Sequence, residues 1–180
     1  FDHVFYTGST TTGRIIYKMA AEQLIPVTLE LGGKSPAVIE NDANIKVAAR
    51  RIAVTKFSNA GQMCVAPDYV LVHTSQKDKF VQELKESIKT FYSGETGDYS
   101  YGKIINEKQF NRLKGYLQQG RIVHGGNHDI SKLYIEPTIM ENVPATAPVM
   151  NEEIFGPILP IIPFNTMEEA KKIIQNNPNP

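Results

Sequence analysis

Hydrophobic positions along the chain come in short blocks whose spacing alternates between two periods. His3–Tyr6, Val27–Leu31 and Pro36–Glu40 are brief apolar runs bounded by Gly, Pro or hydroxyl residues, the pattern of strands. Between the first two, Ile15, Ile16, Met19 and Ala20 recur at helical spacing within Thr12–Leu24. Asn41-Asp42 is placed to cap a long helix reaching Ser58, with Val47, Ala48, Ile52 and Phe57 on its apolar face. Asp68–His73 reads as a strand with Val70 and Val72 on one face. Ser75 reads as the N-cap of a helix to Tyr92, whose seam is Phe80, Val81, Leu84, Ile88 and Phe91.

Ser93–Gly102 is rich in Gly, Ser, Asp and Tyr and predicts a loop. A further helix is expected over Asn106–Gln119 through Phe110, Leu113, Tyr116 and Leu117. Arg121–His124 and Tyr134–Met140 predict strands. Eight of the eleven prolines lie at or after Pro137, so the last quarter is expected to be extended chain and turns before a closing helix over Met167–Asn176. Strands separated by helices predict an α/β fold with a mainly parallel sheet flanked by helices.

Composition narrows the function classes. The 180 residues make one domain, or one domain and a piece of another. A single cysteine excludes an intrachain disulfide, a Cys-rich zinc module and a CxxC redox motif. Nineteen basic residues balance nineteen acidic ones, leaving no electrostatic footprint for nucleic acid or an anionic membrane. No run approaches the roughly 20 apolar residues of a membrane span. The opening FDHVFYTGST lacks the basic and apolar regions of a signal peptide, and begins without Met, as if inside a strand. The lone thiol and the missing secretion signal favour the cytoplasm.

Four places can carry chemistry. Cys64 sits in FSNAGQMCVAPDY, between a long helix and a strand. A thiolate at such a junction is a strong nucleophile, and the competing reading is a small buried hydrophobe. Asn59, Gly61 and Gln62 put polar and flexible backbone beside it, unusual company for a core cysteine. Glu30 is a carboxylate inside the apolar run of VTLELGGKSP; partial burial would raise its pKa toward the range of a general base. The competing reading is a solvent-facing Glu at a strand end. Gly8, Ser9, Thr10, Thr11, Thr12 and Gly13 lie between a strand and a helix, where free N–H groups and the helix dipole form an anion site. The full G-x-G-x-x-G is absent, since Thr10 stands at the second glycine, and simple helix capping competes evenly. Glu152-Glu153-Ile154-Phe155-Gly156-Pro157 offers carboxylates for a ribose and a ring for a flat ligand, or is a solvated acidic turn. His124 and His128 are four apart, but Gly125-Gly126 breaks any helix that would align them, so no metal site is expected.

Taken in order, YTGSTTTG, LELGGKSP, FSNAGQMCVAPDY and EEIFGP resemble the aldehyde dehydrogenase superfamily. The resemblance extends over essentially the whole chain, and CVAPDY is most similar to the class 3, fatty-aldehyde-like branch. It implies oxidation of an aldehyde to a carboxylic acid with NAD or NADP as cofactor. Cys64 would attack the aldehyde and carry a thioester, and Glu30 would activate the water that hydrolyses it. The Cys64 N–H would supply part of the oxyanion hole. Gly8–Gly13, with Ser9 prominent, would lie beside the cofactor at the helix start. Glu153 would hold the nicotinamide ribose, Phe155 would pack near the nicotinamide, and Leu31 and Gly32 would line the pocket through backbone.

Members of that family are much longer. Residues 1–30 are therefore expected to be the end of an NAD(P)-binding domain, and residues 31–180 most of a catalytic domain. The parent would be a homo-oligomer acting on a small-molecule aldehyde. Two alternatives stand beside this reading: a non-catalytic folding unit, and an enzyme whose thioester passes to coenzyme A. Glu30 favours water over coenzyme A.

Overall fold

The computed structural model describes residues 1–92 and 101–177. The loop expected over Ser93–Gly102 lies mostly outside the described residues. The chain divides into two units, Phe1–Gly33 and Lys34–Pro180.

In the first unit β1 (Val4–Gly8) and β2 (Val27–Leu31) pair in parallel through the crossover helix α1 (Thr10–Glu22). The helix starts earlier than its apolar spacing implied because Ser9 caps it, its hydroxyl accepting from Thr12 N at 3.3 Å. Gly13 lets α1 lie against β2, since a Cβ there would stand 2.8 Å from Leu31 Cδ2.

The second unit contains β3 (Pro36–Ile39), α2 (Ile45–Phe57), β4 (Tyr69–His73), α3 (Lys77–Tyr92) and α4 (Glu107–Tyr116). There follow β5 (Arg121–His124), β6 (His128–Asp129), β7 (Tyr134–Ile135), β8 (Thr138–Glu141), α5 (Pro148–Asn151), β9 (Ile158–Phe164) and α6 (Met167–Gln175). Its sheet has the order β3-β4-β9-β8-β5, parallel except for β5, which runs antiparallel to β8. β6 and β7 form a separate antiparallel pair.

Alternation along the strands feeds a core on each face of this sheet. Val70, Val72, Leu159 and Ile161 pack with Ile52 and Phe57 of α2 and with Phe80, Leu84 and Ile88 of α3. Tyr69, Leu71, Ile158 and Phe164 pack with Phe110 and Leu113 of α4 and Ala170 of α6. Each such fully buried aliphatic or aromatic side chain contributes about 1.5–3 kcal/mol. The expected α/β class with a mainly parallel, helix-flanked sheet is what the chain adopts.

Several local expectations are corrected. Asn44, not Asn41 or Asp42, caps α2, its Oδ1 accepting from Val47 N at 3.2 Å. Its buried face carries Ala49 and Ala53 with the expected Ile52 and Phe57, while Val47 is 42% exposed. Ser75 lies inside a 3-10 turn (Thr74–Gln76) capped by the His73 ring, and α3 begins only at Lys77. The run Tyr134–Met140 is two strands, because Pro137 carries no N–H to continue a ladder. Pro160 and Pro163 lie within β9, a central strand rather than loose extended chain.

Candidate active site

In the first unit, β1 and β2 end together: Thr7 pairs with Glu30 and Gly8 with Leu31. The turn Gly8–Ser9 and the start of α1 therefore stand beside Glu30, Leu31 and Gly32, at the carboxyl ends of a parallel strand pair. That is where open α/β sheets bind ligands. Ser9 spends its hydroxyl on Thr12, donating to Thr12 Oγ1 at 3.1 Å as well as accepting from Thr12 N. Thr10 and Thr11 are exposed on the first turn, and Gly13 is buried beneath it. Glu30 is exposed. The partial burial expected from its apolar neighbours is absent among the described residues, where nothing covers its side chain.

In the second unit, α2 ends at Phe57 and the chain turns sharply toward Cys64. Asn59, Ala60 and Gly61 are all left-handed, with φ of 49°, 53° and 73°. Gly61 has no room for a side chain: a Cβ would stand 2.2 Å from Gly156 O and 3.0 Å from Lys56 O. The backbone before Cys64 is thus pressed against EEIFGP. Cys64 itself is exposed, in a turn closed by Ala66 N donating to Met63 O at 3.1 Å.

EEIFGP is held from behind by α4. The Arg112 guanidinium donates to Glu153 O at 3.1 Å and to Ile154 O at 2.7 Å. Tyr116 Oη donates to Glu152 Oε2 at 2.8 Å, which commits Glu152 to the helix. A Cβ on Gly156 would stand 2.4 Å from Leu113 Cδ2. Phe155 has φ of 44°, strained for an aromatic residue, and its side chain is 40% exposed. Gly156, packed on Gly61, thereby brings this segment against the backbone that leads to Cys64.

Beneath these segments lies a buried charged cluster that sequence reasoning missed. Lys34 Nζ donates to Asp68 Oδ2 and, at 2.6 Å, to Val149 O. Asp68 Oδ1 accepts from Ile154 N at 3.0 Å. Asp68 lies four residues after Cys64 and Lys34 four after Glu30, so one carboxylate ties the start of the second unit, the cysteine segment and EEIFGP together. Burial lowers the Lys34 pKa, and the Asp68 charge opposes that shift. Lys56, on the last turn of α2, is wholly buried, and burial lowers its pKa to about 8 against the pull of Asp68. Among the described residues, Lys56 Nζ and Tyr69 Oη are buried without a hydrogen-bond partner. A lysine inside the apolar run RIAVTKF and an aspartate just before YVLV were the available signals. His124 and His128 stand on separate strands, and His128 Nδ1 pairs with Gly126 O at 3.0 Å.

An exposed thiol in a tight turn, a carboxylate-and-aromatic segment whose Gly156 packs on Gly61 ahead of that turn, and a strand–turn–helix junction are the features that suit nucleophilic chemistry. The chain is 50% identical over 182 residues to the dimeric NADP-preferring aldehyde dehydrogenase of Rattus norvegicus, covering 100% of this chain and 40% of that protein. It is 47% identical over 182 residues to aldehyde dehydrogenase family 3 member A2 of Rattus norvegicus, covering 100% of this chain and 37% of that one. The expected likeness to the class 3 branch is thus met. Among solved structures, the substrate-bound state of Staphylococcus aureus AldH superposes with a TM-score of 0.91 at 48% identity, covering 98% of this chain and 39% of that one. The chain spans about 40% of the length of the curated relatives it matches. The sequence profile of the aldehyde dehydrogenase family matches residues 1–179. The chain belongs to the aldehyde dehydrogenase family.

Proposed function

We propose that the protein carrying this chain oxidises aldehydes to carboxylic acids with NAD(P)+, with Cys64 as nucleophile and Glu30 as base. The observation that carries this is the packing of Gly61 on Gly156, which joins the Cys64 turn to the Glu153–Phe155 segment. In this reading Cys64 Sγ adds to the aldehyde carbon, and the Cys64 N–H steadies the developing oxyanion. A nicotinamide cofactor, when bound, would supply the hydride acceptor, and Cys64 would then carry the acyl group as a thioester. Glu30 then takes a proton from water, whose oxygen attacks the thioester carbon; the acid leaves and the thiolate returns.

The residues present fit such a cofactor. The backbone of Gly8 and the start of the 13-residue helix α1 suit a phosphate. Ser9, Thr10, Thr11, Thr12 and Gly13 would frame it, with Leu31 and Gly32 lining the pocket. Glu153 would take the ribose, and the half-exposed ring of Phe155 would take the nicotinamide. NADP is favoured by the rat relative described as NADP-preferring, and a homodimer by its description as dimeric. Residues 1–30 are assigned to the cofactor domain and 31–180 to the catalytic domain. Among the described residues no helix is long and apolar enough to cross a membrane. A single thiol that must stay reduced to act favours the cytoplasm.

The test is Cys64→Ala in the full-length protein. Aldehyde-dependent reduction of NAD(P)+ should fall at least about 10³-fold. Retained turnover would exclude Cys64 as nucleophile.

A further inference from the structure

Gln62 makes three side-chain bonds to main chain on two separate segments. Its Nε2 donates to Asn59 O at 3.0 Å and to Lys103 O at 2.9 Å. Its Oε1 accepts from Ile105 N at 2.9 Å. Asn59 Nδ2 answers by donating to Gln62 O at 3.1 Å, and Gln62 N donates to Asn59 O at 3.2 Å. The amide therefore uses donors and acceptor together, an arrangement that an acid, an amine or an aliphatic side chain cannot reproduce.

The place it braces holds three consecutive left-handed residues. Asn59 and Ala60 have side chains, yet both are left-handed, and Gly61 follows them in the same region. Such conformations persist only where the surroundings over-determine them. Ala60 and Gly61 are buried, and Gly61 is closed off on one side by Gly156 O. Gln62 closes the other side, anchoring the run to the segment that leads into α4. Cys64 is two residues further on, in an exposed turn with no comparable side-chain anchor among the described residues.

We propose that Gln62 is a positioning residue for Cys64. By locking residues 59–62 it sets where the thiol and the Cys64 N–H stand relative to the Glu153–Phe155 segment. This rests on Cys64 being the nucleophile.

The experiment uses Gln62→Glu and Gln62→Met in the full-length enzyme. Glu keeps the shape and the acceptor for Ile105 N but turns a second oxygen on two carbonyls; Met keeps the length and loses every bond. Iodoacetamide labelling of Cys64, read by peptide mass mapping across pH, reports on the thiol without catalysis. The expected result is a burst of reduced cofactor slowed about ten-fold or more, since small misplacement of a reacting atom is costly. The pH midpoint of Cys64 labelling should move as well, while KM for NAD(P)+ stays within about two-fold. A purely structural Gln62 lowers the melting temperature and leaves the burst and the labelling profile of the folded variant unchanged. That result overturns the proposal, and Gln62→Met decides it if Gln62→Glu does not fold. A Cys64→Ala enzyme that still turns over overturns the nucleophile assignment instead, whatever the labelling shows.

Discussion

The α-carbon of Gly61 sits so close to Gly156 that an added methyl group would stand 2.2 Å from the Gly156 carbonyl oxygen. The neighbour is backbone on a tightly held segment and cannot swing aside. Gly61 also has φ of 73°, where a Cβ is itself unfavourable. Gly61→Ala should therefore destabilise the protein by about 3 kcal/mol or more, measured by denaturant unfolding. Gly156→Ala meets the flexible end of Leu113 instead and should cost less. Combined with Leu113→Ala, the loss should be smaller than the sum of the two single losses, because the added methyl fills part of the cavity left by the truncated leucine.

Asp68 should be hard to replace. Asp68→Asn keeps the shape but leaves the Lys34 ammonium buried against a neutral amide. Breaking a buried ion pair this way costs about 3–5 kcal/mol. Ile154 N also loses a charged acceptor, so the segment carrying Glu153 should loosen. Faster amide exchange at Ile154, together with a lower unfolding midpoint, is the expected result; unchanged exchange there would deny the tie.

Lys56 gives a pH dependence with a definite sign. Its pKa falls from 10.5 to about 8 on folding, burial being the largest cause. Below pH 8 the side chain is charged in both states, and folding bears the full cost of burying that charge. As pH rises from about 8 to 10.5, the folded protein releases the proton while the unfolded chain keeps it, so this contribution to stability improves. At about 1.4 kcal/mol per pH unit the relief is about 3 kcal/mol. Lys56→Met should be more stable than wild type at pH 7, with the difference shrinking toward pH 10.5. Unfolding at several pH values measures this, and a difference independent of pH would refute the buried charge.

What the sequence disclosed was local. Val27–Leu31 and the helix expected over Asn106–Gln119 were legible because a few neighbouring residues settle each, though α4 ends earlier, at Tyr116. The cap of α2 was not, since Asn41, Asp42 and Asn44 are all competent and only packing chooses the last. Prolines at 160 and 163 argued against a central strand, yet β9 is flanked by β4 and β8, a choice made by the apolar faces of Ile158, Leu159 and Ile161. Cys64 and the residues of EEIFGP stood out as motifs. The bonds that hold them join Lys34 to Asp68 and Asp68 to Ile154, 34 and 86 residues apart, and no spacing rule reaches that far. Glu30 was expected to be partly buried from its own strand, and burial depends on what covers the strand rather than on the strand itself.

The most direct measurement is the covalent one. The full-length protein with Glu30→Gln is mixed with an aldehyde and NAD(P)+, quenched in acid and mapped by peptide mass. The account predicts an acyl group on the peptide containing Cys64, accumulating because the water-activating carboxylate is gone. Continued turnover in that variant, with no acyl group on Cys64, would contradict it.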